Sequence, residues 1–133
     1  MKKYVHKVNY YETDKMGVVH HSNYVRWMEE ARVCLMEQMG YSYFKLESIG
    51  ICSPVLAYSC EIKHSTFFGN EVEILAKVKK YNSVRLEIEY EMMVDDKIVA
   101  TGESKHCFTN SQGKPISLKK ECVELDKLFY DYI

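Results

Sequence analysis

The stretch SNYVRWMEEARVCLMEQMG, residues 22–40, decides the fold. Within it Tyr24, Trp27, Met28, Ala31, Leu35 and Met39 recur at steps of three and four, the spacing of one helical face. Glu29, Glu30, Arg32, Glu37 and Gln38 occupy the other faces. Ser22 or Asn23 offers a side-chain oxygen for capping the first turn, and Gly40 stands where a left-handed stop belongs. The expectation is a helix of about four to five turns. Trp27 and Met28 are read as core, and Glu30 and Arg32 as surface or subunit contacts.

Outward from this helix the period changes. A short irregular stretch, Tyr41 to Ser53, leads into residues that alternate in steps of two. Leu56, Tyr58, Cys60 and Ile62 form one such series, and Val72, Ile74, Ala76 and Val78 another. Val84, Leu86, Ile88, Tyr90 and Met92 form a third, with Arg85, Glu87, Glu89 and Glu91 on the opposite face. A last strand is expected from about Ile98 to Thr109. The connections at Gly69-Asn70, Lys80 to Ser83 and Asp95-Asp96 read as short, which makes antiparallel neighbours. Upstream, Tyr4 to Tyr10 reads as a first strand. Downstream, Gly113 and Pro115 mark a turn, and Leu118, Cys122, Leu125, Phe129 and Tyr132 suggest an amphipathic C-terminal helix. One long helix on one face of a wide antiparallel sheet is an α+β arrangement, here a single domain over residues 1–133. Such a sheet has exposed edges to manage, so pairing of two copies through it is expected.

Composition narrows the class. With 47% hydrophobic and 28% charged residues the chain falls in the globular range. No apolar run approaches the roughly 18 residues that a membrane span needs, and Met1-Lys2-Lys3-Tyr4-Val5 leads into no apolar leader. A cytoplasmic protein with no membrane partner is expected. The net charge of -1 gives no electrostatic case for nucleic acid. Five scattered cysteines, with no CxxC, argue for reduced thiols over a disulfide framework or a zinc ribbon.

The chemistry concentrates in Tyr10-Tyr11-Glu12-Thr13-Asp14-Lys15-Met16-Gly17-Val18-Val19-His20-His21-Ser22-Asn23-Tyr24. Asp14 is followed by a turn ending in Gly17, then by apolar Val18 and Val19, then by a helix start. A first helical turn supplies unpaired N–H groups and a positive dipole end. A carboxylate beside such donors resembles acyl-transfer equipment, one part for attack or base work and the other for the oxyanion. An Asp with Gly three residues on is also a common structural turn. The five histidines show no metal-ligand spacing, so neither a metal nor a cofactor is expected.

The run from Tyr11 to Arg32 resembles the signature of the 4-hydroxybenzoyl-CoA thioesterase-like family, and within it the acyl-CoA thioesterase branch associated with the Tol-Pal system. The likeness continues through Cys107-Phe108-Thr109 and Gly113-Lys114-Pro115 and covers nearly the whole chain. It implies a hot-dog fold, an antiparallel sheet wrapped round one long helix, assembled as a homodimer or homotetramer. It also implies hydrolysis of an acyl-CoA without a cofactor. By position, Asp14 matches the catalytic carboxylate, as nucleophile or as general base. The His21 N–H matches the donor to the thioester carbonyl, and the His21 side chain could orient Asp14 or water. Gly17, Val18, Val19, His20, Asn23 and Tyr24 match the positions that shape the substrate site. Two features depart from the pattern. His20 stands where relatives more often carry Tyr or Trp, and the Phe68-Gly69-Asn70 turn lacks an acidic residue.

If the substrate carries CoA, its phosphates need cations at the pocket mouth. Lys77, Lys79, Lys80 and Arg85 are the best cluster in the sequence, although a solvated strand face explains them equally well. Two alternatives accompany this reading: a thioesterase acting on acyl carrier protein, and a non-catalytic hot-dog protein that binds acyl groups or mediates assembly. A hot-dog dehydratase would need a histidine in a Pro/Gly-rich loop, which is missing here.

Overall fold

A computed structural model describes residues 3–133; Met1 and Lys2, where the sequence was read for a leader, lie outside the described residues. In chain order the elements are β1 (Tyr4–Lys7), a 3-10 turn (Tyr10–Glu12), α1 (Ser22–Met39), α2 (Tyr43–Ser48), β2 (Val55–Ile62), β3 (Glu71–Tyr81), β4 (Arg85–Val94), β5 (Lys97–Cys107), α3 (Leu118–Glu121) and α4 (Val123–Asp131). The sheet runs β1-β3-β4-β5-β2, with every neighbouring pair antiparallel. The α+β class expected from the sequence is the one observed.

Helix α1 forms where the periodicity places it and stops at Gly40, whose φ of 95° is the left-handed geometry that glycine tolerates best. Its apolar stripe, Tyr24, Trp27, Met28, Ala31, Leu35 and Met39, is buried against the inward residues of β3 and β4, including Val72, Ile74, Leu86, Ile88 and Met92. The helix sits close to the sheet at Gly102 of β5. A Cβ there would lie 2.9 Å from the Ser59 carbonyl oxygen and 3.1 Å from Met28 Sδ. The β4–β5 hairpin turns on Asp95 and Asp96, both at positive φ (50° and 64°), as two-residue hairpins that follow the strand twist require.

Four expectations are corrected. Strand β1 ends at Lys7, because residues 10–12 wind into a 3-10 turn that begins the functional loop. The N-cap of α1 is His21, one residue ahead of the two polar candidates, and it caps without a side-chain hydrogen bond. The irregular stretch contains α2, started by Ser42 Oγ accepting from the Lys45 N–H at 3.0 Å. The C-terminal helix is broken in two at Cys122, whose φ of -153° and ψ of 79° are not helical.

The sheet order carries a further correction. β2 does not pair with β3; it lies across the sheet beside β5, in the register Ile62↔Ala100 to Val55↔His106. Residues 63–70 are too long for a tight hairpin and instead cross from one side of the sheet to the other. This crossing passes under the start of α1, and β2 is left as an edge strand. α4 is held by Asp126, whose Oδ1 accepts from Tyr81 Oη and Ser83 Oγ, each at 2.6 Å. Burial, and then the Asp126 carboxylate, push the Tyr81 phenol far above its ordinary range.

Candidate active site

The loop between the 3-10 turn and α1 is a closed hairpin. The Asp14 N–H donates to the Val18 carbonyl at 2.9 Å, and the Gly17 N–H returns to the Asp14 carbonyl at 3.0 Å. Gly17 has φ 79°, so this turn needs a residue free of a Cβ penalty. Thr13 bridges Val19, and the His20 N–H donates to the Glu12 carbonyl at 2.8 Å. The crossing segment clamps the outer side: the Val19 N–H donates to the Thr66 carbonyl at 2.9 Å, and Val18 bridges Phe67.

What this scaffold presents is narrow. The Asp14 side chain is exposed, and its Oδ1 accepts from the Met16 N–H at 2.8 Å. Its other oxygen makes no hydrogen bond among the described residues. At the other end of the loop the His21 N–H likewise has no acceptor among the described residues, just where α1 begins. A free main-chain donor at a helix start and a free carboxylate oxygen on a pinned turn are the two parts that acyl transfer requires. Both histidine side chains are exposed and stack on each other with centroids 4.2 Å apart. His20 Nδ1 pairs with Ser22 Oγ at 2.9 Å. No hydrogen bond joins the His21 side chain to Asp14.

Asn23 and Tyr24 are buried supports. Asn23 Nδ2 donates to the Glu12 and His20 carbonyls at 2.9 and 3.2 Å, and Tyr24 Oη pairs with Thr66 Oγ1 at 2.8 Å. Burial raises the Tyr24 phenol, which therefore stays protonated. Sequence reasoning passed over the anchor of the whole loop. Glu12 is 5% exposed; its carboxylate takes the Trp27 indole N–H at 2.8 Å, the Asn9 N–H at 2.7 Å and His6 Nε2 at 2.8 Å. Burial works to raise its pKa, but the Asn9, His6 and Trp27 hydrogen bonds outweigh that and hold it below the usual carboxylate value. The signal was faint: a Glu two residues before an Asp looks like part of a polar loop.

The structure does not bring the basic cluster to this loop. Lys79, Lys80 and Arg85 lie at the end of β3 and the start of β4, whereas the loop packs at the beginning of β3, where His6 pairs with Val72. Seven or more strand residues at about 3.3 Å each separate them, on the order of 25 Å. Lys79 is moreover engaged with Glu103. No group of residues suited to a metal ion occurs among the described residues. Arg32, read as a surface residue or a subunit contact, is 4% exposed within the single chain, which removes the first of these.

Sheet, helix and loop together define a hot-dog thioesterase-like protein. Residues 8–125 match the family described as the thioesterase-like superfamily, and the chain belongs to it. A protein of Aquifex aeolicus (strain VF5), provisionally named an esterase, is 34% identical over 124 residues, 93% of this chain and 96% of the relative. A Bacillus subtilis (strain 168) protein, provisionally named an acyl-CoA thioesterase, is 29% identical over 86% of this chain and 84% of its own. The crystal structure of a DHNA-CoA thioesterase from Staphylococcus aureus superposes with a TM-score of 0.95 at 30% identity, covering 98% of this chain and 89% of that one. The chemistry of the class is thioester hydrolysis, and this chain is a thioester hydrolase.

Proposed function

We propose that the chain hydrolyses an acyl-CoA to the free acid and CoA at the Asp14–His21 loop. The carrying observation is an unengaged Asp14 oxygen on a hydrogen-bonded hairpin and an unengaged His21 N–H where that hairpin enters α1. In this reading the thioester carbonyl oxygen accepts from the His21 N–H, and the dipole of α1 steadies the charge that develops there. Asp14 attacks the carbonyl carbon or takes the proton of an attacking water. Gly17, Val18 and His20 form the floor and rim; Val19, Asn23 and Tyr24 hold the scaffold from beneath. The long matching run from Tyr11 to Arg32 supports a place near the Tol-Pal-associated branch.

The protein acts as a homodimer in this proposal. Edge strand β2 is exposed along most of its length and apolar: Val55, Leu56, Tyr58 and Ile62 are each about half exposed or more. An open, apolar edge of that kind is suited to pairing with the same edge of a second copy. Assembly to a homotetramer would use the outer sheet face, where Lys77, Glu89, Glu91 and Glu103 are found. Five unpaired cysteines support a reducing, cytoplasmic setting.

The deciding experiment is thiol release from short-chain, long-chain and aromatic acyl-CoAs by wild type and Asp14→Asn. Hydrolysis of at least one class, falling about 100-fold or more in the variant, is expected. Equal rates would remove Asp14 from the chemistry. Turnover of acyl carrier protein thioesters alone would transfer the activity to the carrier.

A further inference from the structure

A second polar site lies behind α1, away from the Asp14 loop. A cavity of about 90 Å³ opens between α1 and β2, walled by Val25, Met28, Val55 and Tyr58 and floored by Arg32, Ser104 and His106. Arg32 is 4% exposed, its Nη1 has no hydrogen-bond partner, and no carboxylate comes within ion-pairing distance among the described residues. Its guanidinium lies 5.0 Å from the centroid of the Tyr43 ring. Glu29 is at the exposed rim of the same cavity and forms no ion pair with it.

The remaining floor is neutral. Tyr90 Oη, Ser104 Oγ and His106 Nε2 form a buried chain with 2.7 Å links, and His106 Nδ1 is unpaired. Burial, then the Arg32 charge, lower the His106 pKa to about 3, against a smaller opposing contribution from the Pro54 backbone. His106 is therefore an uncharged neighbour, and Arg32 is left as a buried cation with an unused donor. Buried charges are ordinarily paired, and leaving one unpaired is costly. An apolar cavity with one unspent guanidinium and a neutral hydroxyl relay at its floor fits an apolar ligand ending in an anion.

We propose that this cavity receives the far end of the acyl group and that the acyl group ends in a carboxylate held by Arg32, an assignment that rests on the thioesterase reading of the Asp14 loop. Ser22 and Arg32 are separated by ten residues of α1, about 15 Å at 1.5 Å per residue, the scale of a medium-length acyl chain. The substrate class is then a dicarboxylic monoacyl-CoA.

The test compares kcat/KM for adipoyl-CoA with hexanoyl-CoA and for suberoyl-CoA with octanoyl-CoA, pairs that differ in the terminal carboxylate. Wild type should favour the carboxylate-bearing member at one length by at least about 10-fold, the scale of one charge-assisted contact. Arg32→Met should bring that ratio near one, and Arg32→Lys should keep part of it. Calorimetric titration of the same esters into Asp14→Asn reads the preference without turnover, and circular dichroism confirms that each variant is folded. If no ester is hydrolysed but the calorimetric preference appears and needs Arg32, the hydrolase reading fails and this site stands. If both esters are hydrolysed and the ratio is unchanged by Arg32→Met, this site is overturned and the hydrolase reading stands. A change of oligomeric state with an unchanged ratio would make Arg32 a subunit contact and also overturn it.

Discussion

Replacing Glu12 by Gln should loosen the loop without opening a cavity. The amide keeps the shape of the carboxylate but supplies one acceptor where there were two, and its NH2 must face a donor. Either the Trp27 indole N–H, now 2.8 Å from Oε2, or the Asn9 N–H and His6 Nε2, now at 2.7 and 2.8 Å from Oε1, loses its partner in a site that is 5% exposed. A hydrogen bond to a charged group is worth about 1.5–3 kcal/mol and an orphaned buried donor costs about 1–3 more, so with partial relaxation the loss should be about 2–4 kcal/mol. For a domain of this size that lowers Tm by roughly 10 °C. Urea unfolding at neutral pH, followed by tryptophan fluorescence, measures it directly through Trp27. The pH dependence gives an independent check. Glu12 has a folded pKa below its ordinary value, so its stabilisation is complete above that ordinary value and is lost as pH falls through the folded one. The gap between wild type and Glu12→Gln should therefore be widest near neutrality and close in strong acid. A difference below about 0.5 kcal/mol at neutral pH, or a gap that stays constant into acid, would refute the anchoring argument.

Asp14→Asn should leave stability within about 0.5 kcal/mol, since the residue is exposed and the amide oxygen can still accept from the Met16 N–H; a marked fall in Tm would mean that lost activity reports misfolding. Gly102→Ala should cost about 1–3 kcal/mol, because the added methyl meets the Ser59 carbonyl oxygen at 2.9 Å and that backbone is fixed within the sheet; a neutral result by thermal melting would show that α1 can lift at this point. Leu56→Lys with Ile62→Lys places two charges on the exposed edge strand and should convert a dimer to monomer in sedimentation velocity; an unchanged dimer would move the interface away from β2.

Legibility in the sequence followed the physics of each element. The long helix and strands β3 to β5 were readable because one face of each is buried, so that Val72, Ile74, Leu86, Ile88 and Met92 had to recur at the right period. The Asp14 turn was readable for a different reason: Gly17 at positive φ and a helix start immediately after it are local devices with local signals. What depended on distant partners was not readable. The side on which β2 pairs is set by Ala100 to His106, many residues later, and nothing in Val55 to Ile62 distinguishes a hairpin return from a crossing. Arg32 likewise has the spacing of the buried face, one turn from Met28 and Met36, but the charge of a surface residue. Its burial follows from how closely α1 settles on Gly102 and from the side chains that β5 presents beneath it.

These two illegible features meet in one place. Because the chain crosses the sheet after β2, the exposed edge of β2 and the flank of α1 bound the same cavity, and a cation there keeps one donor without a hydrogen bond. A chain that had folded β2 beside β3 would lose the Thr66 and Phe67 contacts that clamp the outer side of the Asp14 loop. It would have no second wall to α1 and no enclosed guanidinium. In the proposed reading the loop carries the thioester chemistry, and selection among acyl groups falls to the cavity between α1 and β2. Substitutions at Asp14 and at Arg32 should accordingly separate in their effects, the first on turnover of every substrate and the second on the ratio between substrates.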